Sequence, residues 1–142
     1  MASKNAEGVR AQLDAFNKGD LDKAAALYAD DARIIDHAQG VTGKGPDEAR
    51  AVLAEWKRAF SDAKVTDLHI TEAGDTVIAQ FTGGGTNDGP FGPFQATDRR
   101  MSVPFCNVLR FDDKGRIVSD ELYYDLLSVL VQLGHAEAPA AS

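Results

Sequence analysis

One cysteine, Cys106, stands in the whole 142-residue chain. A lone thiol excludes an internal disulfide and fits a reducing compartment. No apolar run approaches the ~18–20 residues that a bilayer-spanning helix needs. The longest, around Leu126 to Leu133, is broken by Ser128 and Gln132. The opening stretch from Met1 to Glu7 lacks the apolar centre of a signal peptide. A cytoplasmic protein with no membrane partner is therefore expected. Cationic excess is also absent: 15 Lys and Arg face 22 Asp and Glu, giving a net charge of −7 and a pI near 4.8. That sign opposes a phosphate backbone, so no nucleic acid partner is expected, and no basic patch suggests anionic lipid. There are no internal repeats. His69 and His135 have no partner at metal-ligand spacing, so no metal is expected. The glycine-rich stretch Gly83–Gly92 has no lysine and lacks the spacing of a phosphate cradle. It reads as a long loop or irregular hairpin tip at a pocket rim.

What is present describes one ordinary globular domain. Hydrophobic residues make up 44% and charged residues 26%, and a chain this long buries roughly 68–70% of its unfolded surface. Residues 1–135 are expected to form the domain and 136–142, with Pro139, a loose tail. Val9, Leu13 and Phe16 recur at helical spacing and predict a helix over residues 6–17, ended by Gly19. Asp20 is placed to cap a second helix that carries Leu21, Ala24, Ala25, Leu27 and Tyr28. Residues 33–37 predict a short strand running into a glycine-rich loop. Pro46, with Asp47 and Glu48 behind it, opens a third helix whose stripe is Ala49, Val52, Leu53, Trp56 and Phe60. After Phe60 the period drops to about two, predicting strands over 65–72, 76–82, 100–111 and 117–124. A final helix over 126–133 ends at Gly134. Three helices followed by strands joined through hairpins is an α+β order with a mostly antiparallel sheet. Such a sheet, curved over helices, leaves a concave face suited to a small-molecule pocket.

Particular stretches are similar to a known group. Asn17-Lys18-Gly19-Asp20-Leu21-Asp22 and Ala26-Leu27-Tyr28-Ala29-Asp30-Asp31-Ala32 resemble the opening of the nuclear-transport-factor-2-like superfamily. That group includes ketosteroid isomerase, limonene epoxide hydrolase and the SnoaL-like polyketide cyclases. Residues 83–92, the run Arg110 to Val118, and Asp125 with Gln132-Leu133-Gly134 resemble the SnoaL-like branch. The resemblance implies a cone-shaped α+β barrel, a curved sheet wrapped around three N-terminal helices with a short C-terminal helix. It also implies a deep apolar pocket, a homodimer formed through the outer sheet face, and no cofactor.

Three residues are candidates for chemistry. Asp36 follows Ile34-Ile35, where desolvation suits a general base, and it resembles the catalytic base of ketosteroid isomerase. Its bland alternative is a solvated turn aspartate. Asn107 shares strand parity with Val103, Phe105, Leu109 and Phe111, so an amide sits on an apolar face. It resembles the position of an oxyanion-hole acid, and an amide can donate the same hydrogen bond. Asp125 resembles the general acid/base of the cyclases, and it also stands where a cap for the last helix belongs. Gln12, Phe16, Tyr28, His37, Trp56, Phe60, Phe105 and Tyr124 make up the expected ligand-contacting set. Departures are visible too. The chain has Phe105-Cys106-Asn107 where the epoxide hydrolases carry Arg-x-Asp and the cyclases Gln-x-His, and Gln12 where the isomerase has a tyrosine.

The expected function is thus a cofactor-independent acid/base enzyme, of isomerase, cyclase or related lyase type, acting on a small apolar carbonyl compound. The alternatives are a non-catalytic binding module for a small hydrophobic ligand and a dimeric scaffold.

Overall fold

The computed structural model describes residues 3–140. Met1 and Ala2, at the start of the opening stretch, and Ala141 and Ser142, at the end of the expected tail, lie outside the described residues.

Helix α1 spans Lys4–Asn17 and is capped by Ser3, whose hydroxyl accepts from the Ala6 amide at 3.1 Å. It buries Val9, Gln12 and Phe16 on one stripe. Helix α2 spans only Leu21–Ala25, under its Asp20 cap. The expected continuation to Tyr28 fails because the sheet claims the chain first: the Leu27 carbonyl accepts from the Ile117 amide at 2.9 Å. Tyr28 therefore opens strand β1, Tyr28–Asp36, which is longer than the expected strand. Its pairing shifts register between Tyr28 and Arg33, so the alternation that marks a strand is broken there. Strand β2, Val41–Lys44, occupies what reads as a glycine-rich loop and pairs with the end of β1. Helix α3 is Gly45–Ala59, with Pro46 in its first turn. Gly45 has φ +78°, and a Cβ there would lie 2.7 Å from the Asp30 carbonyl oxygen, so glycine is required at this corner.

Strands β3 (Lys64–Ala73), β4 (Thr76–Thr86), β5 (Arg100–Phe111) and β6 (Ile117–Tyr124) follow, then helix α4 (Leu126–Leu133). Strand β4 runs through Gly83–Gly85 to Thr86, so the expected loop begins four residues late. Gly83 has a packing reason for its lack of a side chain: a Cβ would fall 2.4 Å from the Phe105 ring. The sheet order is β2-β1-β6-β5-β4-β3. All neighbours are antiparallel except β1 and β6, which run parallel. The sheet is curved and open, not a closed barrel. One core gathers around Val9, Leu109 and Ile117, the other around Phe60, Val103 and Leu133. No helix among the described residues is long and apolar enough to cross a membrane.

One buried polar residue holds the tip between β4 and β5. Asn87 is fully buried. Its amide donates to the carbonyls of Ala59 (3.2 Å) and Gly89 (2.8 Å), and its oxygen accepts from the Thr97 amide at 3.1 Å. These bonds tie residues 87–97 to the end of α3. Phe91 is thereby set against Trp56, with ring centroids 5.6 Å apart.

Candidate active site

Helices α1 and α3 and the concave face of the sheet enclose an apolar cavity of about 110 Å³. Leu13, Phe16, Leu53, Trp56, Phe81 and Phe105 supply much of its wall. Two carboxylates reach it, Asp36 and Asp120, each less than 8% exposed. They sit on the parallel strands β1 and β6, where Ile34 pairs with Asp120 and Asp36 with Leu122. That two-residue offset across one strand spacing places their Cα atoms roughly 8 Å apart.

Asp36 ends β1 and is held on two sides. Its Oδ1 accepts from the Gln39 backbone amide at 2.9 Å. Its Oδ2 accepts from the Gln39 side chain at 3.2 Å and from the Tyr124 hydroxyl at 2.8 Å. Burial, and then the charge of Asp36, push the Tyr124 phenol well above its ordinary value. Tyr124 thus remains a donor to Asp36 at any working pH.

The second carboxylate anchors a chain of buried groups. Gln12 donates to the Tyr28 oxygen at 3.0 Å, Tyr28 donates to Asp120 Oδ2, and Asn107 donates to Asp120 Oδ1 at 2.5 Å. Burial raises the Asp120 carboxyl above its ordinary 3.8, although the hydrogen bonds from Tyr28 and Asn107 oppose the shift. Burial, followed by the neighbouring Asp120 charge, raises Tyr28 strongly as well. A raised carboxyl binds its proton more tightly when folded than when unfolded. Its stabilising effect is complete below pH 3.8 and is lost as pH rises through the higher folded value. Wild type should therefore lose melting temperature over that rise relative to Asp120→Asn, which has no proton to release. Parallel melting curves for the two proteins across this range would contradict the assignment.

Most, but not all, of the expected residues meet here. Gln12, Phe16, Tyr28, Asp36, Trp56, Phe105 and Asn107 line the cavity, and Tyr124 reaches it through Asp36. Asn107, however, does not offer the expected free donor. Its NH₂ group also donates to the Glu121 carbonyl at 3.0 Å, so both hydrogens are engaged. Its role here is to hold Asp120. His37 lies outside the cavity, half-exposed, with its Nε2 2.8 Å from Glu121 and its ring stacked on Tyr123 at 4.5 Å. Strand alternation turns it away from the face that Asp36 uses. Phe60 is fully buried in the core behind Trp56 and does not line the cavity. Asp125 is exposed and caps α4, accepting from the Ser128 amide at 3.2 Å and its hydroxyl at 2.8 Å. Those bonds lower its carboxyl below the ordinary value, the wrong direction for an acid at neutral pH.

Asp120 is the functional candidate that the sequence reading missed. Its signal was available: Asp120, Leu122 and Tyr124 alternate, and the residue opposite Asp120 across the antiparallel pair is Leu109, on the Asn107 face. Among the described residues, no group of three or more His, Cys, Asp or Glu side chains could hold a metal ion.

The model of a family described as the SnoaL-like domain matches residues 9–120. Comparison with curated proteins gives no match. Among solved structures, a protein of ketosteroid isomerase-like fold from Catenulispora acidiphila, in complex with trimethylamine, is 29% identical with a TM-score of 0.80. The match covers 92% of this chain and 94% of that one. IdmH of Streptomyces antibioticus, provisionally named a polyketide cyclase, is 26% identical with a TM-score of 0.77, over 93% and 99% of the two chains. A provisionally named SnoaL-like polyketide cyclase from Jannaschia is 24% identical with a TM-score of 0.84, over 95% and 94%, a likeness of fold alone.

Proposed function

The chain belongs to the SnoaL-like domain family, and from that premise we propose a cofactor-independent acid/base enzyme acting on a small apolar carbonyl compound. The observation that carries the proposal is the pair of buried, hydrogen-bonded carboxylates in one apolar cavity. Paired groups whose surroundings differ are what acid/base chemistry needs at neutral pH. Asp36, oriented by Gln39 and Tyr124, takes the proton from the carbon beside the carbonyl. Tyr28 and Asp120 serve the oxygen. When Asp120 holds a proton, it donates to the Tyr28 oxygen, and the Tyr28 O–H is then free to donate to the developing enolate. Gln12 and Asn107 are positioning residues for that pair. One such acid–base group contributes about 10²–10⁴-fold.

The test needs no prior substrate. Purified protein is screened by thermal shift against ketones, lactones, epoxides and sterol-like compounds, and carbonyl hits are followed by NMR for deuterium uptake beside the carbonyl. Catalysed uptake supports the reading. Binding without uptake favours the alternative, a non-catalytic pocket for a small hydrophobic ligand. One observation speaks for that alternative: Asn107, the amide expected to serve an oxyanion, has both N–H bonds engaged within the protein. The trimethylamine in the Catenulispora protein supports a site in this fold that accepts compact, methyl-rich molecules.

We also propose a homodimer through the outer sheet face. Pro104, Cys106 and Val108 alternate with the cavity-facing residues of β5, and Tyr123 beside them is 42% exposed. Sedimentation equilibrium should give twice the mass of one chain. A single-chain mass at micromolar concentration would refute it.

A further inference from the structure

Hydrogens and lone pairs are unequally matched on the buried side chains of the cavity. The Gln12 NH₂ group donates to the Ala24 carbonyl at 3.3 Å and to the Tyr28 oxygen at 3.0 Å. Asn107 directs both its N–H bonds to Asp120 and the Glu121 carbonyl. The Tyr28 hydroxyl donates to Asp120. The two amide oxygens differ. Among the described residues, nothing donates to Gln12 Oε1 or to Asn107 Oδ1. Both residues line the cavity, and they are only 6% and 8% exposed. Neither oxygen is sealed off from the cavity space. A planar amide carries its oxygen and nitrogen on opposite arms, so Asn107, with its NH₂ turned to β6, turns its oxygen away from β6. A buried acceptor without a partner is uncommon in a native fold. Two in one cavity point to a ligand that brings a donor.

The sheet register says where that donor belongs. Asp36 on β1 and Asn107 on β5 both pair with Leu122 of β6, so the three stand in one row across the sheet. Two strand spacings separate Asp36 from Asn107, roughly 10 Å between Cα atoms. Asp120 lies two residues along β6 from this row, with Tyr28 bonded to it. We infer that the substrate is a compact hydroxyketone, with a hydroxyl beside its carbonyl that donates to Asn107 Oδ1. This rests on the reading that the cavity holds the reacting carbonyl. A molecule lying over Leu122 places a C–H bond at Asp36, its carbonyl oxygen toward Tyr28 and its hydroxyl at Asn107. Gln12 Oε1, on α1, is a second acceptor for the same class of group. Size is limited as well. The cavity of about 110 Å³ is smaller than the ~150 Å³ that holds benzene, so the skeleton has about six heavy atoms.

Three probes isolate the donated hydrogen: acetoin, its methyl ether, and methyl isopropyl ketone. The ether keeps the second oxygen without its hydrogen, and the ketone keeps acetoin's shape with a methyl in place of the hydroxyl. Each is titrated into the labelled protein and followed by NMR, where side-chain amide signals are resolved. Acetoin should bind about fivefold more tightly than either analogue, the worth of one hydrogen bond. Burying a hydroxyl without a partner costs affinity, so a cavity that offered no acceptor would rank acetoin last. The Asn107 NH₂ signals should move with acetoin and much less with the ketone. In Asn107→Leu, folded by circular dichroism, the three probes should fall within about twofold of one another. The wild-type ranking stands as a test even where that variant does not fold. Acetoin no tighter than its ether, a preference that survives in folded Asn107→Leu, or no saturable binding of acetoin would each overturn the inference. Deuterium uptake reads the catalytic step separately. Uptake without a hydroxyl preference would remove this inference and leave the acid/base reading. A hydroxyl preference without uptake would remove catalysis and leave the binding site standing.

Discussion

Replacing Asp36 with asparagine is expected to slow catalysed deuterium uptake by about 10²–10⁴-fold while the protein remains folded. The substitution keeps the side chain's size and removes only its capacity to take a proton. Its oxygen can still accept from the Gln39 amide, which closes the turn after β1 at 2.9 Å. On the other side the new NH₂ would face Gln39 and Tyr124, both donors at present. The Gln39 amide can turn over and the Tyr124 hydroxyl can accept, so the cost is about one hydrogen bond, roughly 1 kcal/mol. Rate and stability should therefore separate. An Asp36→Asn protein that keeps its full uptake rate would remove Asp36 from the mechanism. Asp125→Ala is the companion measurement. It deletes the α4 cap at about 1 kcal/mol and should leave the uptake rate at the wild-type level. A large rate loss there, with the fold intact, would return Asp125 to the active site.

The largest effect on stability is expected at a residue far from either carboxylate. Asn87→Ala removes two donated and two accepted bonds from a fully buried site. The Gly89 carbonyl and the Thr97 amide lose their partner, and the Ala59 carbonyl keeps only the Gly89 amide. Unsatisfied buried groups cost about 1–3 kcal/mol each, and water reaching Thr97 offsets part of the sum, leaving about 2–4 kcal/mol. For a chain of this length that lowers Tm by on the order of 10 °C. Differential scanning calorimetry measures it, and a shift of only a degree or two would show that the tip holds its place without Asn87.

The order of elements was readable wherever periodicity and capping agreed. Pro46, Asp20 and Gly134 each stand where the sequence chemistry places them, and β5 and β6 match their expected spans. Errors arose where a long-range partner overrode a local signal. Leu27 and Tyr28 carry a helical stripe, but the Ile117 amide takes the Leu27 carbonyl and Tyr28 enters β1. Gly83–Gly85 look like a loop by composition, yet the Phe105 ring needs the space that a side chain would fill. In the site, Asp36 and Asn107 could be found from their apolar neighbours on their own strands. Asp120 could not be found that way as readily, because Ser119 and Glu121 flank it and make it look like part of a solvated run. Its burial depends on Tyr28 and Asn107, which only the folded sheet brings to it. At Asp125 the structure shows the helix cap that its local sequence suggests.

The single parallel pairing in the sheet has a consequence for how the chain comes into being. Parallel neighbours cannot be joined by a hairpin, and here β1 and β6 lie at opposite ends of the sequence. Tyr28 and Asp120 are 92 residues apart, and Asp36 and Tyr124 are 88 apart. Contacts of such separation are among the slowest to form, since the intervening loop must close before they contribute. During synthesis the helices and the β3–β4 hairpin can gather while the last strand is still unmade. Asp36 then lacks Tyr124, and Tyr28 has no acid beside it. The proton-handling centre is completed only when the final strand joins the first, so a chain cut before β6 retains only the Asp36–Gln39 and Gln12–Tyr28 contacts.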